Sequence, residues 1–286
     1  MSVFTLIENW NGEFKKTSFE TLSYGKKIAN QINQKLVVLT LGADNCEQMQ
    51  EYGADKIINI KNLDFEKTTN ELLASICTKF IKENDINTTI ISNTNTGKSI
   101  SPLIAHNIKH GLITNAISLP ESHNPLTVQC KGFSGKAYVK YQSNYNSNII
   151  TIIPNSIGEI TKIKGGGEVL NIEYDLNDNQ KNIKIISRNK SSERISLSDA
   201  NIVVSAGRGL KGPENWTMIE ELAELLGAGT ACSKPVSDMG WRPHSEHVGQ
   251  TGIAINPDLY IAIGISGAIQ HLAGVNSSKH IVVINT

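Results

Sequence analysis

The chain has 286 residues, and its 27 lysines and arginines balance 27 aspartates and glutamates, so the formal net charge is zero. That balance gives no electrostatic attraction toward nucleic acid or an anionic membrane, and neither is expected as a partner. No apolar run approaches the roughly 20 residues of a membrane span. The N-terminus has Glu8 where a secretory signal or transit peptide has basic residues. The sequence therefore predicts a soluble, cytoplasmic protein.

The first half of the chain alternates between apolar β-type runs and amphipathic helical stretches. The pattern predicts strands at 3–7, 36–41, 56–60 and 88–92, separated by helices at about 21–34, 65–82 and 98–109. Such alternation is typical of a parallel sheet with crossover helices. We expect an N-terminal α/β domain over residues 1–190.

After Pro120 the pattern changes to strands without intervening helices, predicted at 126–131, 136–142, 149–154 and 168–174. A hairpin is expected at Phe133–Gly135. The polar stretch 175–198 predicts one more strand at 183–187, followed by an interdomain hinge. A second domain is then expected over residues 199–286.

Two features of the sequence are expected to have no functional chemistry. The four cysteines stand far apart without a CxxC pair, which predicts free, mostly buried thiols rather than a zinc or redox site. The segment from Asn95 to Ser99 contains the GKS of a phosphate-binding P-loop, but Ser92 stands where that loop has glycine. A loop that caps the next helix through Thr96 or Ser99 is the favoured interpretation.

A glycine motif of GxGxxG spacing, Gly207–Gly212, follows an apolar strand at 201–206 and precedes a helix that opens at Pro213 and runs to Leu226. Glycines let the backbone approach a phosphate, and the helix N-terminus offers free amides to it. Arg208 adds a possible bidentate clamp. Glycine turns also join strands to helices for steric reasons alone. The motif therefore indicates a phosphate site only because a strand precedes it and a helix follows it.

The segment after the next strand argues against a nicotinamide cofactor. A dinucleotide fold of that kind expects an acidic residue about 20 residues after the glycines. Here the strand ends in Ser233 and Lys234, and no acid occurs before Asp238. A hydroxyl and a cation suit a phosphate, or a flavin edge that becomes anionic on reduction.

The loop at 240–252 is rich in polar residues and glycines. His244 and His247 are three residues apart with Glu246 between them, and these are residue types that bind metals. Since no firm third ligand is evident, an ordinary exposed loop is the favoured interpretation. Gln250 and Thr251 stand between glycines and suit the polar edge of a flat heterocycle.

The strand predicted at 259–265 is apolar on both faces, and a turn from Ser266 to Ala268 leads into a helix with Gln270 and His271. The free amides of that turn predict a second anion site. His271 is expected to stay neutral in the first helical turn and to donate an N–H. A core histidine with satisfied hydrogen bonds is the alternative.

The motifs GRGLKG, SKPVSDMGW, VGQTG and SGAIQHLAG occur in this order, and with them the chain resembles the alpha subunit of electron-transfer flavoprotein. The resemblance extends over essentially the whole length and is most specific over 201–285. It implies an N-terminal α/β domain, a smaller C-terminal Rossmann-like FAD-binding domain, and a separate beta subunit. It also implies a one-electron carrier, not an enzyme, that links flavin dehydrogenases, such as the acyl-CoA dehydrogenases of fatty acid β-oxidation, to a membrane quinone oxidoreductase.

The resemblance also assigns FAD contacts. It places Arg208 near the pyrophosphate, Ser233 near the cofactor, Asn285 at the adenosine half, the Thr251 hydroxyl facing flavin N5 and His271 facing O2. The remaining contacts complete the flavin's polar edge and a continuous stretch around it: Val248, Gly249, Gln250, Ser266, Gly267, Ala268, Ile269 and Gln270. It implies neither catalytic residues nor a metal.

Two departures from the family matter. Many members have arginine where this chain has Lys234, which keeps the charge but lacks the flat guanidinium. We therefore expect the anionic semiquinone to remain stabilised electrostatically, but less strongly. Relatives continue for some tens of residues past the terminal strand, so the FAD-binding domain is expected to lack a C-terminal segment that helps to bind FAD. The strand before the end, 281–284, is then left with an uncovered edge.

Two alternative functions remain open from the sequence. One is a bifurcating flavoprotein that uses NADH and holds a second FAD, which would need features of the beta subunit. The other is a structural or sensor subunit that binds AMP or ATP without redox chemistry. Gln250, Thr251 and the stretch from Ser266 to His271 argue against the sensor, which has no use for groups fitted to a flavin ring.

Overall fold

The computed structural model describes residues 2–133, 135–163, 165–177, 180, 183, 185–187, 196–197 and 199–286. The chain divides into two units, one formed by residues 1–130 and 138–189 and the other by residues 131–137 and 190–286. No described helix is both long enough and apolar enough to cross a bilayer.

The first unit is built on a parallel sheet with crossover helices, as predicted. Up to residue 172 the described elements are β1 (Ser2–Leu6), β2 (Asn9–Trp10), β3 (Glu13–Phe14), α1 (Lys16–Gln31), β4 (Lys35–Leu41), β5 (Lys56–Ile60), α2 (Asn70–Glu83), β6 (Thr88–Ser92), α3 (Asn95–Ile108), β7 (Gly111–Ala116), β8 (Ser122–His123), β9 (Leu126–Gly132), β10 (Ala137–Ser143), β11 (Asn148–Ile152) and β12 (Glu168–Ile172).

The strands of this sheet lie in the order β10-β9-β7-β11-β6-β1-β4-β5-β12, and β8 pairs with β9. The pairs from β7 to β12 along this order are parallel. β9 and β10 are neighbours joined by a tight turn, where the Gly135 amide donates to the Gly132 carbonyl, so the predicted hairpin is confirmed. β7 was not predicted, because its strand character depends on pairing with the distant β11.

Aliphatic side chains cover both faces of the large sheet and form two separate core clusters. A charged side chain is also deeply buried: Glu20 is 1% exposed, and its carboxylate accepts backbone amide hydrogen bonds from Asn155, Ile157 and Gly158 at 2.6–3.0 Å. Those bonds compensate for the lost hydration of the carboxylate. They fix the loop that follows β11.

Two local predictions in the first unit are corrected. α3 begins at Asn95, and its cap is Thr94, whose hydroxyl accepts from the Gly97 amide at 3.0 Å, rather than Thr96 or Ser99. Gly97 is required by packing, since a Cβ there would lie 1.8 Å from the Ser92 carbonyl oxygen. The described residues of the strand predicted at 183–187, namely 183 and 185–187, are not in a strand, and most of the predicted hinge lies outside the described residues.

The second unit carries a smaller parallel sheet. Its described elements are β13 (Ile202–Ala206), α4 (Thr217–Leu226), β14 (Gly229–Cys232), α5 (Lys234–Asp238), β15 (Leu259–Ile263), α6 (Ile269–Val275) and β16 (His280–Ile284). The order is β14-β13-β15-β16, and all three pairs are parallel. The helix expected from Pro213 to Leu226 begins with a 3₁₀ turn, Pro213–Trp216, before α4.

Apolar side chains again form two clusters in this unit. β16 lies at one edge of the sheet and β14 at the other, and the β16 side chains from Ile281 to Ile284 are 42–61% exposed. The predicted uncovered edge is therefore present. All four cysteines of the chain, Cys46, Cys77, Cys130 and Cys232, are free and buried, as predicted.

Candidate cofactor site

The predicted site residues lie in the segments that follow the strands of the smaller sheet, in loops and at the starts of α5 and α6. β13 ends at Ala206, β14 at Cys232, β15 at Ile263 and β16 at Ile284. Because all four strands are parallel, the loops after them meet at one edge. In open parallel sheets this carboxyl edge is where ligands bind.

The glycine motif packs directly against the loop after β15. The amide of Gly207 donates to the Ile263 carbonyl at 2.9 Å, and that of Gly209 donates to the Gly264 carbonyl at 3.0 Å. A Cβ on Gly209 would lie 2.5 Å from the Gly264 Cα. The glycine is thus required by a close backbone approach, while the Arg208 side chain is exposed at this edge.

The VGQTG segment is held between β14 and α6. The amide of Val248 donates to the Cys232 carbonyl at 3.0 Å, and that of Gln250 donates to the Gln270 carbonyl at 2.7 Å. A Cβ on Gly274 would lie 2.5 Å from the Gly249 nitrogen, so the helix touches the loop backbone. These contacts bring Gln250 next to the start of α6.

The site residues differ in exposure in a way that suits ligand binding. Ser233, Val248, Gly249 and His271 are buried, and Gly267 is partly exposed. The exposed members are Arg208, Lys234, Gln250, Thr251, Ser266, Ala268, Ile269, Gln270 and Asn285. The Asn285 amide also donates to the Ile265 carbonyl at 3.3 Å. Exposed polar side chains that can bind a ligand therefore surround the buried residues of the site.

Two observations show room and polar capacity for a bound group. Gly267 has a φ of +69°, and no atom lies within 4 Å of the position that a Cβ would take. Among the described residues, the buried Nδ1 atom of His247 has no hydrogen-bond partner, and that of His271 has none besides the backbone of Val248. Buried polar atoms without partners are costly, and a ligand that satisfies one regains that energy.

His271 is a buried histidine at the start of α6. It lies in the first turn of α6 and is 8% exposed, and its Nε2 is 2.8 Å from the Tyr260 hydroxyl. Burial lowers the pKa of His271, so the ring is neutral, although the backbone of Val248 acts in the opposite direction. The contact of Tyr260 with His271 was not predicted, since an apolar strand gives no signal that one of its residues bonds to a later helix.

The loop around His244 and His247 is not the ordinary exposed loop that the sequence favoured. Glu246 and His247 are buried. The Arg242 guanidinium donates to both carboxylate oxygens of Glu246 at 2.7 and 2.8 Å and to Glu220 at 2.9 Å, which explains the burial of Glu246. No sequence pattern signalled this pair, because Arg242 lies in a loop before a 3₁₀ turn at His244–Glu246 rather than on a helix. The described residues contain no group of three or more metal-ligand side chains.

The buried histidines predict a pH dependence of stability. Burial lowers the pKa of His247 and of His271 below about 6.5, the usual value in the unfolded chain. Below pH 6.5 the unfolded state therefore binds protons that the folded state does not, and the free energy of unfolding falls by up to about 1.4 kcal/mol per pH unit for each histidine.

Denaturation between pH 7.5 and 5.5 should show this fall, and His271→Gln should make it shallower. The variant is needed for comparison because burial lowers the pKa of His110 and His123 in the same direction. An identical pH profile in the variant would contradict the assignment to His271.

Two family models match most of the chain. Residues 3–176 match the family model described as electron transfer flavoprotein domain, and residues 196–276 match the one described as electron transfer flavoprotein FAD-binding domain. The second match contains all of the candidate site residues except Asn285.

Similar curated proteins extend over nearly the whole chain. The electron transfer flavoprotein subunit alpha of Bacillus subtilis is 33% identical to this chain, and the aligned region covers 99% of this chain and 87% of that protein. The electron transfer flavoprotein subunit alpha of Syntrophomonas wolfei is 34% identical over 98% of this chain and 88% of that protein. The lactate dehydrogenase (NAD(+),ferredoxin) subunit LctC of Acetobacterium woodii is 27% identical over 98% of this chain and 68% of that protein. The chain belongs to the family of electron transfer flavoprotein alpha subunits.

Proposed function

We propose that this chain binds FAD as the alpha subunit of a cytoplasmic heterodimer with an electron transfer flavoprotein beta subunit. The complex carries single electrons from flavin dehydrogenases, such as acyl-CoA dehydrogenases, to a membrane quinone oxidoreductase. The observation that supports this most is the meeting of the four motifs at one sheet edge, where exposed polar side chains surround buried glycines and His271.

Each group at the edge has a proposed role. Exposed Arg208 and Ser266 hold the phosphate groups, Asn285 contacts the adenosine half, and Gln250 and Thr251 contact the flavin's polar edge. FAD supplies the redox chemistry when bound. The chain binds the ring, orients it and places polar groups and charge beside it.

Ser233 and Lys234 lie where β14 gives way to α5. The Ser233 amide donates to the Ala206 carbonyl at 3.1 Å, which anchors this turn beside the glycine motif. Lys234 is exposed next to it. Its proposed role is to favour negative charge on the cofactor through an interaction that solvent weakens.

A bifurcating function is the second candidate. The similarity to LctC favours it, because the name of that protein couples a lactate dehydrogenase to NAD(+) and ferredoxin. The third candidate, a nucleotide sensor, would need a phosphate site in the first unit. The Gly97 amide of the GKS segment is not available for one, because it already donates to the Thr94 hydroxyl. Thr94 in turn donates to the Glu8 carboxylate at 2.5 Å.

The test is an absorption spectrum of this chain co-purified with its beta subunit, followed by denaturation and identification of the released nucleotides. We expect a flavin spectrum that bleaches on stepwise reduction and release of FAD. A colourless complex that releases only AMP would contradict FAD binding. Two FAD per complex together with reduction by NADH would select the bifurcating function over the simple carrier.

A further inference from the structure

Tyr260 lies under the candidate site and contacts one of its residues. It belongs to β15 and is 0% exposed, and its hydroxyl oxygen is 2.8 Å from His271 Nε2. The two rings have centroids 6.0 Å apart and are tilted by 44°. Val248 and Val275 belong to the same core cluster as Tyr260, so the phenol is fixed by packing on both sides of the loop and helix that form the site.

The protonation states of this pair restrict where its protons lie. Burial raises the pKa of Tyr260 and lowers the pKa of His271, so the pair is neutral. A neutral imidazole has one N–H, and the nitrogen without it can only accept. Either the phenol donates to Nε2 and the ring proton is on Nδ1, or Nε2–H donates to the phenol oxygen and Nδ1 is bare.

The surroundings of the phenol favour the first arrangement. In the second one the Tyr260 proton would need another acceptor. Ser205, on the neighbouring strand, is the polar side chain beside it, and it lowers the pKa of Tyr260, as a hydroxyl that donates to the phenol oxygen does and one that accepts its proton does not. A buried donor left without an acceptor is unfavourable. Donation from the phenol to Nε2 satisfies the phenol and leaves the proton on Nδ1.

We propose that Tyr260 is a positioning residue that donates its O–H to His271 Nε2 and thereby fixes the Nδ1–H tautomer and the orientation of the ring. The proposal rests on the proposed FAD-binding function in one respect only. Within the described chain, the neighbour of Nδ1 is the backbone of Val248, which raises the pKa of the ring. Val248 belongs to the loop that is proposed to contact the flavin, so the orientation of the ring bears on the cofactor through that loop. Tyr260 then acts on FAD only through His271.

The tautomer can be measured directly by NMR of the ring nitrogens in the complex of this chain with its beta subunit, labelled with ¹⁵N-histidine. The signals of His271 are assigned by their loss in His271→Gln. We expect the Nδ1–H tautomer in the wild-type complex and a mixture of both tautomers in Tyr260→Phe. An Nε2–H tautomer in the wild type, or an unchanged tautomer in Tyr260→Phe, would overturn the proposal. The measurement works with or without FAD.

A double-mutant cycle tests the route of the effect on FAD. Tyr260→Phe is expected to raise the Kd for FAD about tenfold, the effect of losing one buried hydrogen bond. In the His271→Gln background the same change should alter Kd by less than about twofold. Equal effects in both backgrounds would mean that Tyr260 acts through the fold rather than through His271.

Tyr24 offers the matched control. It is also 0% exposed, and its hydroxyl donates to the Ser118 carbonyl at 3.0 Å within the first unit. Tyr24→Phe removes an equivalent buried hydroxyl and should leave both the Kd for FAD and the His271 tautomer unchanged. A wild-type complex that binds no FAD would refute the proposed function and leave the tautomer result standing.

Discussion

Replacing Gly274 by alanine is expected to raise the Kd of the complex for FAD by at least about a hundredfold, equivalent to about 2.7 kcal/mol. A Cβ on Gly274 would lie 2.5 Å from the nitrogen and 2.6 Å from the Cα of Gly249. Both contacts are to backbone, so α6 or the loop from Val248 to Thr251 has to move. Overpacking of this kind also costs about 1–3 kcal/mol of stability. Flavin fluorescence titration measures the Kd.

Gly227→Asn is the control for this substitution. Gly227 ends α4 with a φ of +58°, and a Cβ there meets no atom within 4 Å. Asparagine tolerates that left-handed conformation. We expect a Kd for FAD within about twofold of the wild-type value. A similar loss of FAD in both variants would mean that the effect of Gly274→Ala is a general loss of folding.

Replacing Arg242 by methionine is expected to lower the free energy of unfolding by about 3 kcal/mol or more. The Arg242 side chain is 14% exposed and forms ion pairs with Glu246 and Glu220 at 2.7 and 2.9 Å. Its guanidinium also lies 5.3 Å from the centre of the Trp216 ring. Methionine keeps the apolar stem but leaves the Glu246 carboxylate, 10% exposed, without its bidentate partner. Chemical denaturation measures the change.

The exposed pair of Lys279 and Asp258 is the control for Arg242. Its atoms are 2.6 Å apart, but the side chains are 64% and 45% exposed. Lys279→Met should change the free energy of unfolding by less than about 0.5 kcal/mol. The double variant Arg242→Met/Glu246→Leu should regain part of the lost stability, because no carboxylate is then buried at position 246. A small effect of Arg242→Met would show that Glu246 stays hydrated.

Local periodicity predicted the parallel sheet of the first unit but not all of its boundaries. The strands at 56–60 and 88–92 were predicted with the bounds that the structure has. α1 begins at Lys16 rather than near residue 21, since its first turns bury Thr17, Ser18 and Glu20 instead of apolar side chains. Glu20 is stabilised there by amides more than 130 residues away, which no local pattern reveals.

The sequence predicted the site loops better than the contacts beneath them. Glycine spacing and strand ends are local features, so the meeting of Gly209 with the loop after β15 follows from them. Tyr260 with His271 and Arg242 with Glu220 depend on which side chains tertiary packing brings together. The sequence shows that Lys234 replaces the arginine of many family members, but the effect of this replacement on flavin charge depends on the bound cofactor.

The burial of the four thiols gives each unit its own chemical reporter. Burial raises the pKa of Cys77 and Cys232 to about 12 and that of Cys46 and Cys130 to about 11, so the reactive thiolate is scarce in the folded chain. Cys232 is the cysteine of the second unit, and the other three belong to the first. The rate at which an alkylating reagent modifies Cys232 therefore reports how often the second unit opens, separately from the first.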